Sequence, residues 1–201
     1  MIDIHSHILM GIDDGSRTLE ESIDIIKEAE TNGFTQIIST SHYYKGKFEV
    51  EENKRKELLE TLNKELVKQN INVKLYLASE ILITPEIIEL IETKKASTIN
   101  DTKYLLMELP FNTQVLYLED LLFKIIAKGY VPIIAHPERY TFVQKNPNKL
   151  IEYIEQGALF QSNYSSVIGY YGKQTQKTAI KLLKANMIHF LGTDVHRPGT
   201  V

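Results

Sequence analysis

The chain of 201 residues contains no cysteine and no tryptophan. Without cysteine there can be no disulfide framework, no thiolate zinc site, no iron–sulfur cluster and no cysteine nucleophile. Any chemistry must therefore depend on carboxylates, imidazoles, hydroxyls, or metal ions held by oxygen and nitrogen.

Long apolar runs and an excess of basic charge are also missing. The longest apolar runs, such as 81–83 and 131–135, fall far short of the roughly 20 residues that span a membrane. The N-terminus lacks the basic and apolar regions of a signal peptide. The formal net charge of −3 offers no basic field for nucleic acid. We therefore expect a cytoplasmic protein that neither inserts into a membrane nor binds nucleic acid.

Short apolar or β-branched runs alternate with longer amphipathic segments along the whole chain. The seven runs lie at 2–5, 36–40, 73–78, 104–107, 131–135, 158–161 and 187–191. Amphipathic helices are predicted to begin at Thr18 and near Val50, Pro85, Val115, Asn148 and Lys173. Seven strand–helix alternations without hairpin signals predict one α/β domain over residues 1–201 with parallel strands. Their number favours a closed or nearly closed (β/α) barrel over an open sheet.

Histidines and acids collect at the predicted carboxyl ends of these runs. Six of the seven strands end near one or more of His5, His7, His42, Glu80, Glu108, His136, Asp194 and His196. The carboxyl ends of barrel strands meet at one mouth, where the active sites of this architecture lie. With an aspartate from the Asp13-Asp14 pair, the set has five imidazoles and four carboxylates. That number exceeds what one ion takes and fits two or three ions of a metal such as Mn²⁺, Fe²⁺ or Zn²⁺.

Several motifs resemble those of the PHP (polymerase and histidinol phosphatase) superfamily. They are His5-Ser6-His7, Asp13-Asp14-Gly15, Thr40-Ser41-His42, Glu80, Glu108, His136-Pro137-Glu138-Arg139 and Thr193-Asp194-Val195-His196. More narrowly, the start Met-Ile-Asp-Ile-His-Ser-His, followed by Asp-Asp-Gly, is similar to the manganese-dependent protein tyrosine phosphatases of bacterial capsule and exopolysaccharide loci. The resemblance extends from residue 1 to about residue 197, with the motifs in matching order.

This resemblance implies a distorted (β/α)₇ TIM-like barrel, the PHP fold, that holds three divalent ions. Mn²⁺ is the implied metal, with Fe, Zn, Mg or Co as possible occupants. The first ion would take His5, His7, Glu80 and Asp194, a second would share Glu80 and add Glu108 and His136, and a third would take Asp14, His42 and His196. The register of the family favours Asp14 over Asp13 as the ligand.

Arg139 matches the arginine that the family uses on the substrate phosphate. That role suits a guanidinium, whose planar fork can form two parallel hydrogen bonds to phosphate oxygens. Asp14 and His42 are assigned to catalysis together with Arg139. Members of the family continue past the last Asp-x-His motif with C-terminal helices, whereas this chain ends at Val201. We therefore expect a barrel without that helical segment.

Three functions stay open. In the leading one, a metal-bridging hydroxide attacks the phosphate of phosphotyrosine, and the resemblance implies the tail of a membrane-associated tyrosine kinase that controls capsule assembly as substrate. The second keeps the metal centre but hydrolyses a small phosphomonoester such as histidinol phosphate. The third is a non-catalytic metal-binding module.

The remaining histidine and arginines are predicted to be structural. His189 lies inside the last predicted strand, and Arg17, Arg55 and Arg197 are expected at the surface or in caps, with Arg197 near the mouth. Aromatic residues of the loops that follow the strands could form walls against a phosphotyrosine ring. They are Tyr43, Tyr44, Phe111, Tyr140, Tyr164, Tyr170 and Tyr171.

Overall fold

The computed structural model describes residues 1–201 as an α/β arrangement of parallel strands and helices. The strands are β1 (Ile2–Ser6), β2 (Gln36–Ser39), β3 (His42–Tyr43), β4 (Lys74–Leu77), β5 (Glu80–Leu82), β6 (Tyr104–Glu108), β7 (Val131–Ala135), β8 (Leu159–Asn163) and β9 (Phe190–Gly192). The helices are α1 (Leu19–Thr31), α2 (Glu52–Lys68), α3 (Ile87–Glu92), α4 (Leu118–Ala127), α5 (Thr141–Lys145), α6 (Lys149–Gln156), α7 (Tyr164–Val167) and α8 (Lys173–Lys184). Two 3₁₀ turns lie at Ile99–Asp101 and Pro137–Arg139.

All pairings between these strands are parallel, as predicted. The strands form two sheets, in the orders β1-β2-β4 and β3-β5-β6-β7-β8-β9. The second and third predicted strands, 36–40 and 73–78, correspond to β2 and β4. Each is followed, after a break, by a short strand that was not predicted, β3 and β5 respectively. The breaks fall at Thr40-Ser41 and Ala78-Ser79, where the Ser79 N–H leaves the ladder and donates to the carbonyl of Ser97 (3.0 Å).

The last strand position returns to the first. The backbone N–H of Asp194 donates to the His5 carbonyl (2.8 Å), and that of His7 donates to the Val195 carbonyl (2.9 Å). If β2 with β3, and β4 with β5, are each counted as one strand, seven strands lie side by side in chain order and the last contacts the first. This is the TIM-like α/β arrangement that the sequence predicts. The carboxyl ends of all of them lie at the same edge.

Helix α1 shows how the sequence specifies these elements. The Thr18 hydroxyl accepts a hydrogen bond from the Glu21 N–H (3.2 Å), which satisfies one of the free donors of the first turn. Ile23, Ile26 and Ala29 follow at helical spacing and are buried against the core beside β2 and β4. No helix of the chain combines the length and the apolar composition needed to cross a membrane.

The sequence prediction differs from the structure mainly after α8. Asn186 has a left-handed φ of 55°, and the Met187 N–H donates to the Leu182 carbonyl (3.0 Å), so these residues close the helix. The last strand therefore begins at Phe190, later than predicted. Helices α5 and α7 were not predicted, because segments of five and four residues are too short to show a helical period.

The residues after β9 pack against α1 without forming a helix. The Glu28 carboxylate accepts hydrogen bonds from the backbone N–H groups of Gly199 (2.6 Å) and Val201 (3.3 Å). The Asn32 side chain donates to the Val201 carbonyl (3.3 Å). These contacts hold the segment against the last turn of α1.

Arg55 is buried, and its predicted position at the surface is wrong. Only 2% of the residue is exposed. Its guanidinium donates to the carbonyls of Ala78 (3.4 Å) and Lys95 (3.3 Å) and to the Ser79 hydroxyl. Ala78 and Ser79 lie at the break between β4 and β5, and Lys95 lies in the loop after α3. Arg55 therefore satisfies a carbonyl that the break leaves free and ties the break to that loop.

Replacing Arg55 with alanine should therefore destabilise the protein strongly. We expect the free energy of unfolding in urea to fall by about 2–4 kcal/mol, because buried acceptors lose their donor. Lys54→Ala, one residue earlier on the solvent side of α2, should change it by less than about 0.5 kcal/mol. Equal, small effects of both substitutions would contradict this role of Arg55.

Candidate metal centre

All nine predicted ligands lie together at the carboxyl edge of the strands. Their ligand atoms form overlapping groups, within each of which the atoms lie within 4.8 Å of one another. The groups are His7, Asp14, His42 and His196; His5, His7 and Glu80; His5, His136 and Asp194; and His42, Glu80 and Glu108. The structure brings these side chains together from six strand positions, and their binding of metal ions stays a prediction.

Glu80, the first residue of β5, lies at the centre of the cluster and is fully buried. Its Oε2 atom lies 3.1 to 3.3 Å from an imidazole nitrogen of each of His5, His7 and His42. Its Oε1 atom lies 3.0 Å from Nε2 of His136. Yet Oε2 has no hydrogen-bond partner in suitable geometry. The Glu80 oxygen and the imidazole nitrogens around it face one another without forming aligned hydrogen bonds. Potential ligand atoms in this arrangement could share one cation.

The orientations of His5 and His7 also fit a bound cation. Nδ1 of His5 lies 2.8 Å from Oε1 of Gln161, and Nδ1 of His7 lies 2.9 Å from Oδ2 of Asp13. Both oxygens are acceptors, so each Nδ1 carries a hydrogen, and each ring in its neutral form presents the Nε2 lone pair. The two Nε2 atoms are only 3.3 Å apart. In the neutral form of both rings, two lone pairs at this distance repel one another unless a proton or a metal ion lies beside them.

Asp13 and Asp14 differ in their burial and in their contacts. The Asp13 side chain is fully buried and, besides His7, accepts the backbone N–H of His42 (2.9 Å). The Asp14 side chain is 56% exposed, and its Oδ1 lies 3.4 Å from Nε2 of both His42 and His196. Asp13 therefore orients an imidazole, whereas Asp14 faces the open side of the cluster.

The charges of the cluster depend on one another. Burial alone would lower the pKa of His5, but the neighbouring carboxylate of Glu80 raises it to about 9. Burial and the charge of Glu80 raise the pKa of Glu108 to about 7. Burial and the charge of His7 lower the pKa of His42 to about 4. Protonated imidazoles thus compensate the buried carboxylates, and metal binding must displace those protons.

The backbone is constrained where it delivers ligands. His136 and Asp194 adopt left-handed φ angles of 33° and 55°, which cost energy for residues other than glycine. Strand β9, just before Asp194, passes so close to β1 that a Cβ atom at Gly192 would lie 2.8 Å from Cβ of His5. Surrounding contacts therefore hold these ligands in place despite the local backbone strain.

Strand β8 contributes two amides that were not predicted as site residues. Besides accepting from His5, the Gln161 side chain donates to Oδ1 of Asn163 (2.9 Å), whose Nδ2 donates to Oδ2 of Asp194 (2.7 Å). Both amide residues are fully buried. The relay fixes the His5 tautomer and turns Oδ1 of Asp194 toward the cluster. Its signal in the sequence was the i, i+2 spacing of polar residues at a strand end, as in His5 and His7.

Arg139 and aromatic side chains border the open side of the cluster. Nη1 of Arg139 donates to Oδ2 of Asp194 (3.1 Å), and its guanidinium carbon lies 4.5 Å from the ring centre of Phe111 and 4.4 Å from that of Tyr171. A cavity of about 530 Å³ opens there, between the cluster and these side chains. Its lining includes Asp14, His42, Glu80, Glu108, Phe111, His136, Arg139, Tyr170, Tyr171, Asp194, His196 and Arg197.

Three of the seven predicted wall aromatics line this cavity: Phe111, Tyr170 and Tyr171. Tyr140 is instead fully buried, and its hydroxyl donates to the Ala135 carbonyl (2.7 Å) and accepts the Leu109 N–H (3.0 Å). These bonds tie the ends of β6 and β7 together, so the predicted wall role of Tyr140 is wrong.

Arg197 and His189 form hydrogen bonds with the backbone, as expected for structural residues. Arg197 donates to the carbonyls of Gly15 and His196 and so holds the loop that carries Asp14. His189 lies outside the cluster, and its Nδ1 accepts the Phe160 N–H (3.1 Å). Glu138, buried beside Arg139, accepts the N–H of Asn163 (3.0 Å).

Residues 1–200 match the family described as capsular polysaccharide synthesis, CpsB/CapC. Tyrosine-protein phosphatase YwqE of Bacillus subtilis is 38% identical over 200 residues, which cover 100% of this chain and 79% of that protein. The chain belongs to the CpsB/CapC family. Tyrosine-protein phosphatase CpsB of Streptococcus pneumoniae is 32% identical over 201 residues, or 98% of this chain and 83% of that protein.

Solved structures agree with membership of the CpsB/CapC family. One of the crystal structures of YwqE from Bacillus subtilis and CpsB from Streptococcus pneumoniae, described as unique metal-dependent tyrosine phosphatases, superimposes with a TM-score of 0.95 at 38% identity. It covers 100% of this chain and 81% of that one. Histidinol phosphate phosphatase from Lactococcus lactis, 15% identical with a TM-score of 0.60 over 97% of this chain and 86% of that one, shares the fold.

Glu80→Gln should remove tightly bound metal from the CpsB/CapC chain. The substitution keeps the side-chain volume but removes the charge that faces four imidazoles. After exchange into metal-free buffer, elemental analysis should find two or three ions per chain in the wild type and fewer than one in the variant. Glu92→Gln, which changes an exposed carboxylate paired with Lys128, serves as the matched control. Equal metal content in all three proteins would place the site elsewhere.

Gln161→Leu should weaken metal binding without touching a predicted ligand. Leucine cannot accept the Nδ1 hydrogen of His5, so the ring loses its fixed tautomer, and we expect affinity to fall about 10- to 100-fold. Competition with a chelator of known affinity measures this change. Gln161→Glu keeps the acceptor and should retain more affinity than the leucine variant; the reverse order would refute the relay.

Proposed function

We propose that this chain is a metal-dependent phosphatase that hydrolyses phosphotyrosine in proteins. The observation that carries the proposal is the shared cavity, in which a cluster of imidazoles and carboxylates faces the same space as the guanidinium of Arg139. A phosphate in this space would contact both. The relatives named as tyrosine-protein phosphatases match nearly the whole chain and support the same activity.

The nine clustered side chains would hold two or three divalent ions, for which we propose Mn²⁺. Glu80 would be the carboxylate shared between ions, because it alone approaches four imidazoles. The buried His5 and Asp194 belong to the inner part of the centre, and the more exposed Asp14 and His196 to the outer part. Bound ions would supply positive charge to the phosphate oxygens and lower the pKa of the attacking water.

Arg139 binds the phosphate in this proposal. Only its Nη1 is engaged by Asp194, so other N–H groups of the fork remain free for two phosphate oxygens. Because a guanidinium keeps its charge at any physiological pH, its attraction for phosphate does not depend on pH in that range. The partial exposure of the side chain, 24%, lets it reach a substrate while its carboxylate partner is almost fully buried.

Asp14 and His42 are proposed to act where substrate enters. Burial and the charge of His7 hold the pKa of His42 near 4, so this imidazole is neutral at pH 7 and free to bind a cation. Asp14 lies between His42 and His196 at the open side of the cluster. Together these residues would hold the ion that a substrate phosphate meets first.

The proposed substrate is the tyrosine-rich tail of a membrane-associated kinase that controls capsule assembly. The family description, capsular polysaccharide synthesis, supports this choice. A phosphotyrosine projects its phosphate far from the peptide backbone, which suits a cluster set below the rim of a cavity. The enzyme would then act in the cytoplasm.

The test compares substrates and variants of the Mn²⁺-loaded protein. We expect a phosphotyrosine peptide to be hydrolysed with a higher kcat/KM than histidinol phosphate, and a chelator to abolish the activity. His136→Ala should lower kcat/KM at least about 100-fold, since losing a ligand removes several kcal/mol of charge stabilisation. His189→Ala, a histidine outside the cluster, should retain wild-type activity.

A preference for histidinol phosphate would replace the proposed substrate by a small phosphomonoester. Metal binding without turnover of either substrate would favour the non-catalytic module. Full activity of His136→Ala would show that the reaction takes place elsewhere.

A further inference from the structure

We propose that Phe111 and Tyr171 are positioning residues that hold Arg139 in the orientation that binds phosphate, an inference that rests on the proposed function. Their rings are here called the aromatic pair. Phe111 lies in the loop after β6, Arg139 in the turn after β7, and Tyr171 in the loop between α7 and α8. Three separate loops therefore converge on one guanidinium.

Side chains from three separate segments of the chain contact the Arg139 guanidinium. Its central carbon lies 4.5 Å from the ring centre of Phe111 and 4.4 Å from that of Tyr171, well within the range of cation–π attraction. Asp194 receives the Nη1 hydrogen at 3.1 Å. An arginine without such contacts must lose rotamer freedom when it binds a ligand, so holding it in advance strengthens binding.

The aromatic pair is itself braced by its surroundings. The ring of Phe111 lies 5.9 Å from that of Tyr140 and 5.6 Å from that of His136. Tyr140 cannot move easily, because its hydroxyl bonds the backbone at the ends of β6 and β7. The ring centre of Tyr171 lies 5.1 Å from that of the exposed Tyr170, with the two ring planes nearly perpendicular. The support thus extends from the strand ends to the arginine.

This arrangement differs from a wall that stacks on the substrate. A ring that contacts the phosphotyrosine side chain affects aryl phosphates and has no effect on inorganic phosphate. A ring that acts through Arg139 affects both ligands equally, and only while Arg139 is present. The two roles therefore predict different results for a ligand that has no ring.

The test measures the affinity of the Mn²⁺-loaded protein for inorganic phosphate by titration calorimetry, with metal content checked for each variant. Phe111→Leu and Tyr171→Leu should each weaken phosphate binding roughly threefold to thirtyfold, the range of one cation–π contact. Tyr171→Phe keeps the ring and should stay within about twofold of the wild type. Tyr117→Leu, a half-exposed tyrosine at the start of α4, is the matched control and should have no effect.

The decisive comparison adds Arg139→Ala. In that background Tyr171→Leu should weaken phosphate binding no further, because the ring acts through the arginine. An equal loss in both backgrounds would overturn the inference. So would leucine variants with unchanged phosphate affinity but a raised KM for a phosphotyrosine peptide, since the rings would then contact the substrate. A wild type that binds phosphate but does not hydrolyse phosphotyrosine would contradict the proposed function and leave this comparison valid.

Discussion

The burial of carboxylate charge among imidazoles is the constraint on which the rest of the structure depends. Glu80 has no exposed surface, and its two oxygens face nitrogens of four histidines. A buried carboxylate is tolerated only when cations or protons compensate it. The raised pKa of His5 shows that protons can do so, and the facing Nε2 atoms of His5 and His7 show why divalent ions suit the space better.

The fold supplies what this constraint requires. Parallel strands present their carboxyl ends at one edge, and the breaks after β2 and β4 direct His42 and Glu80 to the same point. Buried Arg55 satisfies the backbone freed by one break, and the amide relay of Gln161 and Asn163 orients two ligands. Residues outside the cluster therefore hold both the strand ends and the ligands in place.

The sequence pattern predicted the main alternation of strands and helices and eight of the side chains that cluster, and the family resemblance was needed to choose Asp14 over Asp13 as the ninth. Histidines and acids directly after apolar runs can meet only if the strands are parallel, so pattern and topology support one another. The burial of Arg55 could not be predicted, because it depends on a break between β4 and β5 that apolar runs do not reveal. The spacing of Gln161 and Asn163 at a strand end matches that of His5 and His7, but neutral amides do not by themselves indicate a metal site. Tyr140 resembles any loop tyrosine until its hydrogen bonds are known.

One side of the cluster is buried and the other faces the cavity. Metal ions would be held on the buried side, and substrate would enter and leave on the side of the cavity. His5, Glu80 and Asp194 are buried, whereas the side chains of Asp14 and His196 are 56% and 31% exposed and face the cavity with Arg139. We infer that these side chains form one multinuclear metal centre. Anomalous diffraction at the manganese edge from crystals grown with Mn²⁺ would locate the ions. We expect two or three peaks surrounded by the nine side chains, with Glu80 between two of them; a single peak, or peaks away from Glu80, would show that no such centre exists.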